Sequence, residues 1–150
     1  MDNKLIIGSD HAGFELKEKV KKYLLEKGWK FTDVGTTSEE STDYPDYAHS
    51  LAENISLGTD SIGILICGSA NGVSITANKH IGVRAAIAWN QEVAKLAREH
   101  NDANVLSLPA RYISESDAMD IVDVFLETDF EGGRHARRVN KINIKEIEKI

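Results

Sequence analysis

With 150 residues, 41% hydrophobic and 28% charged, the chain has the size and composition of one ordinary globular domain and not those of a disordered segment. A formal net charge of −6 removes any general attraction to nucleic-acid phosphates, so an anion must be held by a few placed Arg and Lys residues. The single cysteine, Cys67, excludes an internal disulfide, no apolar run is long enough to span a bilayer, and no charged-then-apolar leader follows Met1. The expectation is a cytoplasmic protein with no nucleic-acid or membrane partner. The histidines at 11, 49, 80, 100 and 135 show no close His or Cys pairing, so no metal and no cofactor are expected.

The chain opens with Leu5-Ile6-Ile7, an apolar run ending at Gly8, and continues through Ser9-Asp10-His11-Ala12-Gly13, which reads as a strand feeding a loop. From Phe14 to Lys27 the residues Leu16, Val20, Tyr23 and Leu24 recur at helical spacing, with Glu15/Lys19 and Glu18/Lys22 as i,i+4 pairs outside, until Gly28 stops the run. Phe31 to Val34 is a second strand closed by Gly35. Pro45 then starts a helix with Tyr47, Leu51 and Ile55 on one face, up to Gly58. Ile62 to Cys67 is apolar at nearly every position, as a strand covered on both faces requires, and the turn Gly68 to Gly72 leads into a short helix, Val73 to Asn78. Arg84 to Trp89 and Val105 to Leu108 are two more strands. Val93, Leu96, Ala97 and His100 mark a helix face between them, and Ala118, Ile121, Val122 and Phe125 mark another after the capping signal Ser114-x-x-Asp117. After Glu131-Gly132-Gly133 the tail carries the basic run Arg134 to Arg138, and its Ile142, Ile144, Ile147 and Ile150 need cover from this subunit or a second one.

Five strands alternating with helices predict an α/β protein, a three-layer αβα Rossmann-like fold with a five-stranded parallel sheet and a C-terminal helical tail. The reading is a single domain over 1–150, with residues 131–150 packing at a subunit interface. Ligands of such folds sit at the carboxyl ends of the strands. That rule selects Ser9 to His11, Cys67 to Gly72, Trp89-Asn90 and Pro109 to Arg111.

Cys67 ends the central strand just before a helix N-terminus, where backbone N–H groups converge and the helix dipole favours a thiolate. A free thiol has a pKa of about 8.5, and this position can lower it into the range of a working base. The alternative is a buried cysteine serving as a small hydrophobe. Asp10 and His11 follow the first strand with no apolar periodicity to account for them, so they face the same crevice, although helix capping would also explain Asp10. His100 is either an edge-of-core residue or, with Asn101 beside it, a functional one. Arg134 and Arg138, four apart, share a helix face that can clamp a phosphate or form a solvated basic turn. Other occupants of such folds are excluded by their motifs. No phosphoacceptor Asp ends the third strand, Val73 stands where a cysteine phosphatase needs Arg, neither G-x-G-x-x-G nor G-x-x-x-x-G-K-[ST] occurs where required, and Ala70 excludes C-x-x-C.

These residues collected, the chain resembles the type B ribose-5-phosphate isomerases and their relatives, the galactose-6-phosphate isomerase subunits and allose-6-phosphate isomerases, over nearly its whole length. The markers are Gly8-Ser9-Asp10-His11-Ala12-Gly13-Phe14, Thr42-Asp43-Tyr44-Pro45, Ile66-Cys67-Gly68-Ser69 with Ala77-Asn78-Lys79, His100-Asn101-Asp102-Ala103-Asn104-Val105-Leu106, and Gly132-Gly133-Arg134-His135 with Arg138. The resemblance implies a metal-free aldose–ketose isomerisation of D-ribose 5-phosphate and D-ribulose 5-phosphate through an enediolate, a step of pentose phosphate metabolism. It implies Cys67 as the base, His100 as the acid that assists ring opening, and Gly68, Ser69, Ala70, Asn71 and Gly72 as the oxyanion turn. It further implies Asp10, His11, Tyr44 and Asn101 at the sugar, and Arg111, Arg134 and Arg138 at the phosphate. A homodimer or homotetramer with sites at a subunit interface is implied too. A six-carbon sugar phosphate is the competing substrate, and a non-catalytic sugar-phosphate-binding module the competing class. One departure stands out: the family turn usually has Gly where this chain has Ala70, which leaves the course of the turn open.

Overall fold

The computed structural model describes residues 4–57 and 60–144. In chain order its elements are β1 (Lys4–Ser9), α1 (Phe14–Glu26), β2 (Phe31–Asp33), α2 (Tyr44–Leu57), β3 (Ser61–Cys67) and α3 (Asn71–Ala77). They continue with β4 (Ala85–Ile87), α4 (Gln91–Glu99), β5 (Val105–Pro109), α5 (Glu115–Glu127) and α6 (Arg134–Asn140).

All strand pairs are parallel, in the order β2-β1-β3-β5-β4, which is the predicted five-stranded sheet. β3 is central, and its continuous apolar run follows from having helices on both faces. Alternation along the strand sends Ile64 and Ile66 to one layer and Leu65 and Cys67 to the other. On the first layer α1, α4 and α5 pack Val20, Leu24, Ala97, Ile121 and Phe125 against Ile7, Ile66 and Leu108. On the second, α2 and α3 pack Leu51, Ile55, Val73 and Ala77 against Ile6, Leu65 and Val105.

The chain leaves β1 through α1 toward β2, and leaves β3 through α3 toward β4 at the opposite edge. The carboxyl ends of β1 and β3 are therefore neighbours whose connections diverge onto opposite layers, the switch point at which α/β sheets open a crevice. Gly13 holds α1 tight against this place. A Cβ added there would stand 2.3 Å from the Ile66 carbonyl oxygen.

The predicted elements are present with shifted ends. β1 runs to Ser9 because its N–H donates to the Gly35 carbonyl and its own carbonyl accepts from Thr36, both at 2.7 Å. β4 keeps only three residues as an edge strand paired with β5 alone. On α1 the Glu15–Lys19 pair forms at 3.3 Å, but Glu18 takes Lys21 instead of Lys22, because Lys21 sits 2.9 Å from both Glu18 and Asp33. Tyr23 stays half-buried, its hydroxyl donating to Asp123 of α5. Leu96 is 38% exposed, and Ala94 and Ala97 take the core positions of α4. Ser114 caps α5 as expected, accepting from the Asp117 N–H at 3.1 Å.

The tail forms α6, whose inner face is the buried pair His135 and Val139. Ile142 and Ile144 remain exposed. Gly58, the expected stop of α2, and Ile147 and Ile150 lie outside the described residues. No helix among the described residues is long and apolar enough to cross a membrane.

Candidate active site

A cavity of about 240 Å³ opens at the switch point between β1 and β3. It is smaller than the roughly 300–1,000 Å³ of sites for drug-sized ligands and suits a small polar molecule. It gathers Asp10, His11, Tyr44, Cys67, Gly68, Ser69, Gly72 and Arg111; Ala12, part of the Gly8–Phe14 marker but given no role, and Tyr112, without any sequence signal, join them. A larger cavity of about 520 Å³, lined by residues 78–84 and 142–144, holds none of the predicted residues.

Cys67 is 5% exposed. Burial pushes its thiol up, the N–H groups of Val73, Ala70 and Ser69 that face the sulfur pull it down, and the negative charge of Asp10 pushes it up again. The net direction is upward. This corrects the expectation of a thiol lowered by its turn: the donors are in place, but desolvation outweighs them.

Ala70 is fully buried and takes φ +66° itself as the residue before α3, so the turn keeps its course without glycine at a cost of about 1–2 kcal/mol. Asn71 is exposed, its N–H donating to Ser69 Oγ at 3.2 Å, and like Ala70 it belongs to the turn without lining the cavity. Gly72 leaves room for Tyr44, whose ring atoms come within 2.6 Å of where a Cβ would stand.

Asp10 serves both of its readings. One oxygen accepts the Gly13 N–H at 3.0 Å at the start of α1, and the residue also lines the cavity. His11 is oriented by Thr42, a residue to which the sequence assigns no role. Its N–H donates to Thr42 Oγ1 at 3.2 Å, and its Nδ1 accepts the Thr42 N–H at 3.1 Å. A neutral ring with Nδ1 so engaged carries its proton on Nε2, a donor that makes no hydrogen bond among the described residues. Arg111 reaches across Gly68, with its backbone N–H on the Gly68 carbonyl at 3.1 Å, while Ala110 donates to the Cys67 carbonyl at 2.9 Å. These bonds lock the loop after β5 to the loop after β3.

Four predicted residues stand elsewhere. His100 caps the C-terminus of α4 and Asn101 follows it, at the amino end of β5, whereas Cys67 pairs with Pro109 at the carboxyl end of β5. The five residues of that strand separate the two ends by about 15 Å. Arg134 and Arg138 are exposed on α6, which is fastened at the same amino end through the Glu131 N–H on the Glu99 carbonyl at 3.1 Å. Within the polar run after His100, Asp102 pairs with Arg84 and Arg98, and Asn104 bonds the backbone of Arg84 and Gly82, so these two are structural.

The fold also makes a pairing that sequence spacing hides. His100, Glu131 and His135 offer ligand atoms within 4.8 Å of one another. The two imidazoles, however, stack with centroids 4.2 Å apart and planes 11° off parallel. Their nitrogen lone pairs therefore do not converge, and a shared ion would require one ring to turn.

Residues 5–142 match the family model described as Ribose/Galactose Isomerase. Ribose-5-phosphate isomerase B of Escherichia coli (strain K12) is 45% identical over 139 residues, 93% of each chain. A crystal structure of a ribose 5-phosphate isomerase from Thermotoga maritima superposes with a TM-score of 0.92 at 53% identity, covering 95% of this chain and 99% of that one. Ribose-5-phosphate isomerase B from Mycoplasma genitalium, solved with bound ribulose-5-phosphate, gives a TM-score of 0.91 at 42% identity over 95% of both chains. Matches of this extent, on the predicted fold and with Cys67 at the predicted strand end, show that the chain belongs to the ribose/galactose isomerase family and is an isomerase of the intramolecular oxidoreductase class.

Proposed function

We propose that this chain interconverts D-ribose 5-phosphate and D-ribulose 5-phosphate through an enediolate, with Cys67 as the base. The observation that carries the reading is the place of Cys67, at the end of β3 just before α3, in a cavity that it shares with Asp10 and His11. In the open-chain aldose, the Cys67 thiolate takes the proton from carbon 2. The electron pair forms the C1=C2 bond, and negative charge develops on the oxygen of carbon 1. Cys67 returns its proton to carbon 1 as the hydroxyl proton of carbon 2 passes to the oxygen of carbon 1. The turn Gly68 to Gly72 holds the developing charge with N–H donors, each worth roughly 3–4 kcal/mol in such a site. No step is assigned to a metal or cofactor.

The acid for ring opening and further cations for the phosphate come, in this reading, from a second copy of the chain. His100, Asn101, Arg134 and Arg138 lie about 15 Å of strand away from Cys67, at the amino ends of the strands. A two-fold dimer that lays this group over the partner's cavity completes two sites at once, with Arg111 contributed from the cavity's own side. The ribulose-5-phosphate held by the Mycoplasma genitalium relative supports the five-carbon substrate. A reducing cytoplasm would keep the free Cys67 thiol available.

The test is a coupled assay of the purified protein with ribose 5-phosphate, allose 6-phosphate and galactose 6-phosphate, with and without chelator. Turnover of the pentose, indifferent to chelation, is expected. Preference for a six-carbon sugar, or activity lost on chelation, would overturn the reading. In the same assay Cys67→Ala is expected to lose about 10²–10⁴-fold in kcat while still binding substrate by calorimetry. A near-normal rate would place the base elsewhere.

A further inference from the structure

We infer that His135 is the positioning residue for the His100 imidazole and that Glu131 in turn orients His135, an inference that rests on the ring-opening role proposed for His100. The His100 backbone is held, its N–H donating to the Leu96 carbonyl at 2.9 Å, but among the described residues its ring makes no hydrogen bond. What fixes the plane of that ring is the face of His135, stacked at 4.2 Å and 11°.

His135 is itself anchored. It is 6% exposed on the inner face of α6, and its Nε2 stands 3.3 Å from the Glu131 carboxylate one turn earlier. The Glu131 backbone N–H donates to the carbonyl of Glu99, the residue next to His100. Both ends of the stack are thus tied to one peptide. Gly132 and Gly133, at φ +70° and +56°, reverse the chain between Glu131 and α6 so that the loop closes on itself.

The chemistry of this arrangement differs from plain packing. A leucine would fill the space beneath His100 but would leave its ring free to rotate. A flat ring against a flat ring limits that rotation and leaves the edge of His100, with its nitrogens, open to a ligand. The same three side chains that could be taken for a metal set are, in the geometry observed, a support for one imidazole.

The reaction supplies its own discriminator. Ribose 5-phosphate is a closed ring that must open before carbon 2 can lose its proton. Ribulose 5-phosphate has no ring to open, because its terminal hydroxyl carries the phosphate. Misplacing His100 should therefore slow turnover of the cyclic aldose and spare the Cys67-dependent exchange of a carbon 1 proton of ribulose 5-phosphate with solvent deuterium. Loosening α6 as a structural element, or losing a dimer, should slow both.

Both rates are to be measured on the full chain carrying His135→Leu, His135→Phe or Glu131→Gln. His135→Leu is expected to lower kcat on ribose 5-phosphate by about 10²-fold, the loss typical of a displaced catalytic group, with deuterium exchange into ribulose 5-phosphate near that of the unaltered protein. His135→Phe, which keeps the flat stack, is expected to recover most of the aldose rate, and Glu131→Gln to fall between. Equal losses in both rates, no loss in either, or failure of His135→Phe to recover would each overturn the inference. An unaltered protein that performs neither reaction would remove the substrate reading, and this role with it.

Discussion

Cys67 sits under opposing influences that a titration separates. Burial pushes the thiol up, the three backbone N–H groups pull it down and the charge of Asp10 pushes it up again. A base acts as its thiolate, so kcat/KM should rise with pH through a midpoint above that of an ordinary thiol, about 8.5. Asp10→Asn keeps an oxygen to accept the Gly13 N–H and removes the negative charge. It should move the rising limb to lower pH, whatever it also costs in sugar binding, and an unmoved midpoint would show that the charge is not felt at the sulfur. The position of Cys67 was legible in the sequence because a strand end before a glycine-flanked turn is a local pattern. The direction of its shift was not, because desolvation is set by the buried layer that the sulfur joins, to which α2 and α3 contribute. Ala70 teaches the same lesson from the other side. The departure from glycine was visible, but that alanine tolerates the left-handed conformation is a fact of the folded turn.

At the scale of elements, α1 is joined to β2 by one buried cation. Lys17 is fully buried and donates to both Asp33 oxygens, at 2.7 and 2.8 Å, and to the Thr36 carbonyl at 2.6 Å. Thr36 bonds Ser9, so this contact also steadies the strand end that carries Asp10 and His11. Asp33→Asn leaves the buried ammonium only the exposed Glu18, 3.9 Å away, as counter-charge and should cost roughly 3–5 kcal/mol in urea unfolding. Burial pushes the Asp33 carboxyl up, but Lys17, Lys21 and the Gly35 N–H outweigh it and hold the group below its usual range. Its folded value therefore lies under its unfolded one, so its contribution is full above about pH 5 and is lost as pH falls below about 4. The Asp33→Asn variant should lack that part of the acid slope, and an unchanged slope would assign it to other carboxylates. The helix itself was readable from Leu16, Val20 and Leu24. Lys17 was not, since its partner is 16 residues away and meets it only because β2 lies beside β1.

For the whole molecule, the decisive prediction concerns two chains. If each site takes Cys67 from one copy and His100 from another, mixing inactive Cys67→Ala with inactive His100→Asn protein under exchange conditions should restore about one quarter of normal activity. Half of the random dimers are then mixed, and each carries one intact site of two. A site contained in a single chain would leave the mixture inactive. The local periodicities determined the strands, the helices, their alternation and hence the crevice with Asp10, His11, Cys67 and Arg111 around it, because apolar period, glycine breaks and strand ends are properties of neighbouring residues. The strand order and the packing of the tail decided the rest. A parallel sheet sends the end of β3 and the end of α4 to opposite ends of the strands, so residues that the proposed reaction joins are separated within one chain. The stacking of His135 on His100 and the burial of Lys17 likewise depend on segments far apart in sequence, which no local pattern brings together.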